Sequence, residues 1–99
     1  MNINITALHF KADQKLEKFI SEKVEKLSQV YDSIIGADVT LKIENTDKPE
    51  NKTVEIRIKI RGNDALAGKT AKTFEEACDE TVAALRRQLK KVKEKERGL

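Results

Sequence analysis

The pattern of these 99 residues predicts an α+β fold. In detail it is a β-α-β-β-β-α two-layer sandwich, a four-stranded mixed sheet with two helices packed on one face. Three observations predict it. Residues 2–8, 38–44 and 53–61 alternate apolar and polar side chains, the mark of strands with one dry face. Apolar residues at spacings of three and four, over 16–31 and 74–92, mark two amphipathic helices able to cover that face. The first helix separates two strands by a crossover's length, so those strands run parallel and join in the right-handed sense, while the later strands form a meander.

Each element has its own signals. In the first strand Ile3, Ile5 and Ala7 alternate with Asn2, Asn4 and Thr6. Asp13 is a natural N-cap for the first helix, whose stripe is Leu16, Phe19, Ile20, Val24, Leu27 and Tyr31. That stripe predicts a helix of about 18 residues, or about 27 Å. It is expected to end before Gly36, with Ile34 and Ile35 as a closing hydrophobic contact. In the second strand Val39, Leu41 and Ile43 point to the core. Pro49 marks the polar stretch NTDKPENK as a surface loop. The third strand, TVEIRIKIR, is the cleanest, with Val54, Ile56, Ile58 and Ile60 inward and Glu55, Arg57, Lys59 and Arg61 outward. Gly62-Asn63-Asp64 is a turn leading to a weaker strand, ALAGKTA, at 65–71. Thr73 and Glu76 form a capping box that starts the last helix at Phe74. Its apolar stripe is Phe74, Ala77, Cys78, Thr81, Val82, Leu85, Leu89 and Val92, and a fraying tip is expected beyond Val92.

Composition narrows the function. One cysteine excludes an internal disulfide, and no apolar run is long enough to span a bilayer, so a cytoplasmic protein without membrane contact is expected. The net charge of +3 hides a gradient. Residues 1–50 hold 7 lysines against 9 acids, whereas residues 51–99 hold 13 bases against 8 acids. An enzyme is not expected. His9 has no ligand or catalytic partner at useful spacing, and Cys78 lies on the apolar stripe as a small core residue. No glycine cluster forms a phosphate loop, and no metal or cofactor set is present. Helix-dipole compensation and capping explain Glu75, Glu76, Asp79 and Glu80.

The basic surfaces point further. Arg86, Lys90, Lys93 and Arg97 follow one flank of the last helix, with Arg87, Lys91 and Lys95 beside them. Dipole compensation fades within about one turn, and this strip is longer. It suits contact with nucleic-acid phosphates. Arg57, Lys59 and Arg61 offer an additional patch on the outward face of the third strand. Aromatic residues for base stacking on that face are lacking, so recognition of RNA by shape and backbone is favoured. The alternative is a protein-interaction module that docks the basic helix on an acidic regulatory partner.

Several segments together resemble a known family. They are NINITALHF at the start, LEKFISEKVEKL with Lys23, Lys26 and Leu27, and TFEEACDETVAALRRQLKKVKEK with Ala77-Cys78-Asp79 and Arg87-Gln88-Leu89. Over essentially its whole length the chain resembles the short ribosome hibernation factors. This is the family of hibernation promoting factor and the ribosome-associated inhibitor, also called ribosomal subunit interface or sigma-54 modulation proteins. Departures are Thr73 where Asp is frequent, Glu75 for a common Tyr, Ala84 where some members have Lys, an added base at Arg86, and Lys69 where a small residue is usual.

The resemblance implies a translation inhibitor that acts in the stress response. It would bind the small ribosomal subunit and its rRNA near the decoding region, in the space of messenger and transfer RNA. The larger assemblies implied are 70S or 100S ribosomes. Lys23, Lys26, Arg86, Arg87, Lys90, Lys91, Lys93 and Lys95 would be the RNA-binding residues. Longer members carry an additional C-terminal dimerisation domain. Here a single ribosome-binding domain over 1–99 is expected without one, as a monomer when free.

Overall fold

A computed structural model describes residues 1–98. The expected element order is present. β1 (Asn2–Ala7) leads to α1 (Gln14–Glu25), which a 3-10 turn continues over Lys26–Gln29. β2 (Gly36–Ile43), β3 (Lys52–Lys59), β4 (Ala65–Ala71) and α2 (Phe74–Glu96) follow. The strands form one sheet in the order β1-β2-β3-β4, with β1 parallel to β2 and the other pairs antiparallel. The expected domain span ends on Leu99, which lies outside the described residues.

Strand alternation and register build the core. Val39 pairs with Ile56 and Leu41 with Val54, so four branched side chains stand side by side on the inner face. Ile20, Val24 and Leu27 from α1 with its 3-10 turn, and Ala77, Cys78, Leu85 and Leu89 from α2, close over them with no solvent exposure. Burying each large aliphatic side chain contributes about 1.5–3 kcal/mol, before the entropy of ordering the chain is subtracted. Both helix starts carry the side-chain N-cap the sequence predicts, although among the described residues the Glu76 carboxylate does not complete the capping box. The Asp13 carboxylate accepts from the Leu16 N–H at 2.8 Å, and the Thr73 hydroxyl accepts from the Glu76 N–H at 3.1 Å. Phe10 stacks on Phe74 with ring centroids 5.3 Å apart, tying the segment before α1 to the start of α2.

Three details differ from the sequence expectation. The first helix is shorter. Its α-helical part is 12 residues, followed by the four-residue 3-10 turn. The Leu27 carbonyl accepts from both Val30 and Tyr31 N–H groups, and the residues after it carry the chain to the sheet. Ile34 packs against the core, but Ile35 is 66% exposed and makes no closing contact; its N–H instead donates to the Lys59 carbonyl at 2.8 Å. Ile43 ends β2 at the last rung, opposite Lys52, and is 49% exposed rather than in the core. Gly36 starts β2 because nothing larger fits: a Cβ there would lie 2.9 Å from the Asn2 carbonyl oxygen.

Candidate nucleic-acid interface

Packing on one sheet face sets α1 beside α2, and their facing flanks are basic. Between them runs a groove of about 330 Å³ lined by Lys23, Lys26, Asp79, Val82, Ala83, Arg86, Arg87 and Lys90. It adjoins a hollow of about 310 Å³ lined by Gln29, Val30, Lys90, Lys93, Glu94 and Arg97. Lys90 borders both, and the two neighbouring hollows, whose charged lining is mostly basic, are together termed the basic channel. The spacing of four, three and four from Arg86 to Arg97 places those side chains on the flank that faces α1.

The channel joins six of the eight expected RNA contacts: Lys23, Lys26, Arg86, Arg87, Lys90 and Lys93. Lys91 and Lys95 are exposed on α2 and line neither hollow. Arg97 belongs to the channel although it stands outside the expected set.

Lys23 is the most constrained of these cations. Its ammonium is 3.5 Å from an Asp79 carboxylate oxygen and 5.3 Å from the centre of the Phe19 ring. Both members of the ion pair are substantially solvated, with side chains 35% and 54% exposed, so the pair adds little stability. Its consequence is geometric, because it holds the ammonium at the groove.

Sequence reasoning did not single out Phe19 or Asp79 for the site. The Phe19–Lys23 pair is visible as an i, i+4 helical neighbour. The approach of Asp79 to Lys23 depends on how two distant helices pack and leaves no local signal.

The far end of α2 carries a further contact. Beyond Val92 the helix continues to Glu96, where the Tyr31 hydroxyl donates to the carboxylate at 2.6 Å in a partly buried contact. The expected fraying rests on the shortage of apolar residues there, whereas this anchor is polar. The same hydrogen bond, with burial and the nearby negative charge, pushes the Tyr31 phenol above its usual pKa.

The outer sheet face has a different electrostatic character. Lys59 lies 3.1 Å from Asp38, Lys42 3.4 Å from Glu55, and Arg57 3.9 Å from Asp64. Lys59 and then Asn4 hydrogen-bond to the Asp38 carboxylate and hold its pKa below the usual range. Arg61 falls beyond the end of β3 and lines a separate hollow with Tyr31, Ser33, Ile35 and Glu96. The additional patch is thus two ion-paired bases and a third one apart from them. A hollow of about 450 Å³ lies on this face beside Gly68 and Leu66. Its charged lining residues are Asp38, Glu55 and Arg57, which do not converge on one sign of ligand.

Lys69 pairs with Val54, which places it on the helix-bearing side of edge strand β4, where it is exposed. Cys78 is fully buried, and loss of solvation pushes its thiol up to about 12, far from a nucleophile's range. Among the described residues no three His, Cys, Asp or Glu side chains gather as a metal site. No described helix is long and apolar enough to cross a membrane.

The molecule is a two-layer α+β domain with basic side chains lining the hollows beside its two helices. The chain belongs to the family described as Sigma 54 modulation protein / S30EA ribosomal protein, whose profile matches residues 3–97. The family is non-enzymatic. The Ribosome hibernation promoting factor of Pseudomonas putida is 30% identical over 99 residues, covering 100% of this chain and 93% of that relative. The factor of the same name from Escherichia coli K12 is 30% identical over 95 residues, 96% of each chain.

Solved structures share the fold. A ribosomal subunit interface protein from Coxiella burnetii superposes with a TM-score of 0.83 at 20% identity, over 94% of this chain and 98% of that one. The N-terminal domain of Thermus thermophilus Protein Y gives 0.80 at 19% identity, over 93% and 99%.

Proposed function

We propose that this protein is a ribosome hibernation factor that binds small-subunit rRNA near the decoding region and blocks messenger and transfer RNA sterically. The observation that carries this reading is the channel that brings Lys23 and Lys26 of the first helical segment against Arg86, Arg87 and Lys90 of α2. Family membership supports it, since named relatives are hibernation promoting factors. In this mechanism the cations neutralise backbone phosphates and release their counterions, which supplies affinity without reading base edges. The sheet and the buried faces of the helices form a rigid wedge that excludes other RNAs. No bond is made or broken. Lys91 and Lys95 add phosphate contacts from the exposed side of α2. The protein acts as a cytoplasmic monomer when free and associates with the small subunit alone or within 70S or 100S particles.

Sedimentation with 30S, 50S and 70S particles across a salt series tests this. Co-migration with 30S and 70S but not 50S, lost as salt rises, is the expected result. Binding to 50S alone, or binding unaffected by salt, would refute it. Nuclease treatment separates the RNA reading from an acidic protein partner, because only a direct protein complex survives digestion.

A further inference from the structure

We propose that Asp79 is a positioning residue for RNA binding: it holds the Lys23 ammonium over Phe19, where Lys23 can meet a phosphate in the groove. The inference rests on the RNA-binding reading above. Asp79 is the one acid among the residues lining a groove otherwise bordered by bases and small apolar side chains. An acid there opposes an anionic ligand through space, and the helix dipole expected to account for Asp79 favours it only weakly, because Asp79 lies beyond the first turn of α2.

The geometry supplies a further reason for it. Lysine is a flexible four-carbon stem ending in a point charge, and fixing it in one place costs rotamer entropy. Here the ammonium has two attachments on different elements. Phe19, one turn earlier on α1, presents its ring 5.3 Å away. Asp79, on α2, presents a carboxylate oxygen 3.5 Å away. Together they restrict Lys23 before any ligand arrives, which reduces the ordering cost at binding. Lysine has three N–H donors, and one carboxylate contact leaves others for phosphate. The surrounding cations Lys26, Arg86 and Lys90 offset the local repulsion from Asp79.

Positioning and simple field effects predict opposite signs. If Asp79 acted only through its charge, its removal would tighten binding to a polyanion. If it positions Lys23, its removal weakens binding despite the gain in net positive charge. Glu80 is the control, because it is exposed on the same helix, carries the same charge and does not line the groove.

The experiment measures 30S affinity across salt for wild type, Asp79→Ala, Asp79→Glu, Glu80→Ala, Lys23→Ala and the Asp79→Ala/Lys23→Ala double variant. The Asp79→Ala variant is expected to bind more weakly, with a salt slope reduced by about 0.7–0.9, the value of one phosphate contact. Lys23→Ala gives the same loss, the double variant adds nothing further, Asp79→Glu recovers part of the affinity, and Glu80→Ala binds at least as tightly as wild type. In the free protein, NMR is expected to show ring-current shielding of the Lys23 ε-methylene protons that Asp79→Ala abolishes.

Tighter binding of Asp79→Ala, matching Glu80→Ala, would overturn the positioning role alone, as would retained shielding in that variant. If wild type fails to bind 30S at all, the RNA reading falls and this inference falls with it.

Discussion

Replacing Arg86, Lys90 and Lys93 by alanine removes three cations from the channel while leaving Leu85 and Leu89 in the core. Each phosphate contact contributes about 0.7–0.9 to the magnitude of the slope of log affinity against log salt. Three lost contacts therefore flatten the slope by about 2.1–2.7. Between about 50 and 200 mM salt, the wild-type advantage over the triple variant shrinks by about 20- to 40-fold. Fluorescence anisotropy of labelled protein with 30S particles measures both lines, and circular dichroism checks that helix content is unchanged. A Lys91→Ala/Lys95→Ala variant is the comparison, because those side chains line neither hollow. Its slope is expected to change less than that of the triple variant. Parallel lines for wild type and the triple variant, or a larger change in the Lys91/Lys95 pair, would refute the assignment of the channel as the main phosphate contact.

Other consequences are measurable in the free protein. Tyr31→Phe removes the donor to Glu96, so amide exchange over residues 94–97 is expected to accelerate while exchange near Leu85 stays slow. Raising the pH acts on the same contact. The phenol's pKa is raised by folding, so its contribution is complete below the ordinary value of 10.0 and is lost as pH climbs through the higher folded value; exchange at the tip, followed beside the phenolate absorbance, should rise in that range. Asp38 has the opposite sign. Its folded pKa lies below 3.8, so its contribution is present above that value and lost as pH falls through the lower one, and Asp38→Asn should flatten the acid limb of a stability–pH curve. Leu89→Ala empties a fully buried site and is expected to lower unfolding free energy by about 2–5 kcal/mol in urea titration, a large part of the 5–15 kcal/mol usual for a domain.

The fold is legible where one period dominates. Val54 to Ile60 alternate without interruption, and all four inward residues are buried as their spacing predicts. The two caps are equally readable, because Asp13 and Thr73 act on backbone groups three residues away. Legibility fails where an element's end is decided by distant neighbours. Ile43 has the right parity for the core, but its place at the last rung leaves it exposed. Tyr31 has helical spacing from Leu27, yet it closes the turn after the helix and turns its hydroxyl to Glu96, 65 residues away. The basic flank of α2 follows from periodicity. Its union with Lys23 and Lys26 follows only from packing of the two helices, and the neutralisation of Arg57 and Lys59 depends on Asp64 and Asp38 reaching across a turn or from the next strand.

That neutralised sheet face has a kinetic meaning. Cations there cancel against acids at close range, whereas among the described channel residues only Lys23 is so paired, with Asp79, and the other cations reinforce one another. The molecule therefore has a front and a back. In the field of a polyanion it experiences a torque that turns the helices forward before any atoms touch. Encounters become orientation-selected, and fewer collisions end with the wrong side presented. Ionic strength then acts twice, weakening the bound state and also randomising the approach, because the aligning field is screened beyond about 8–10 Å in 0.1–0.15 M salt.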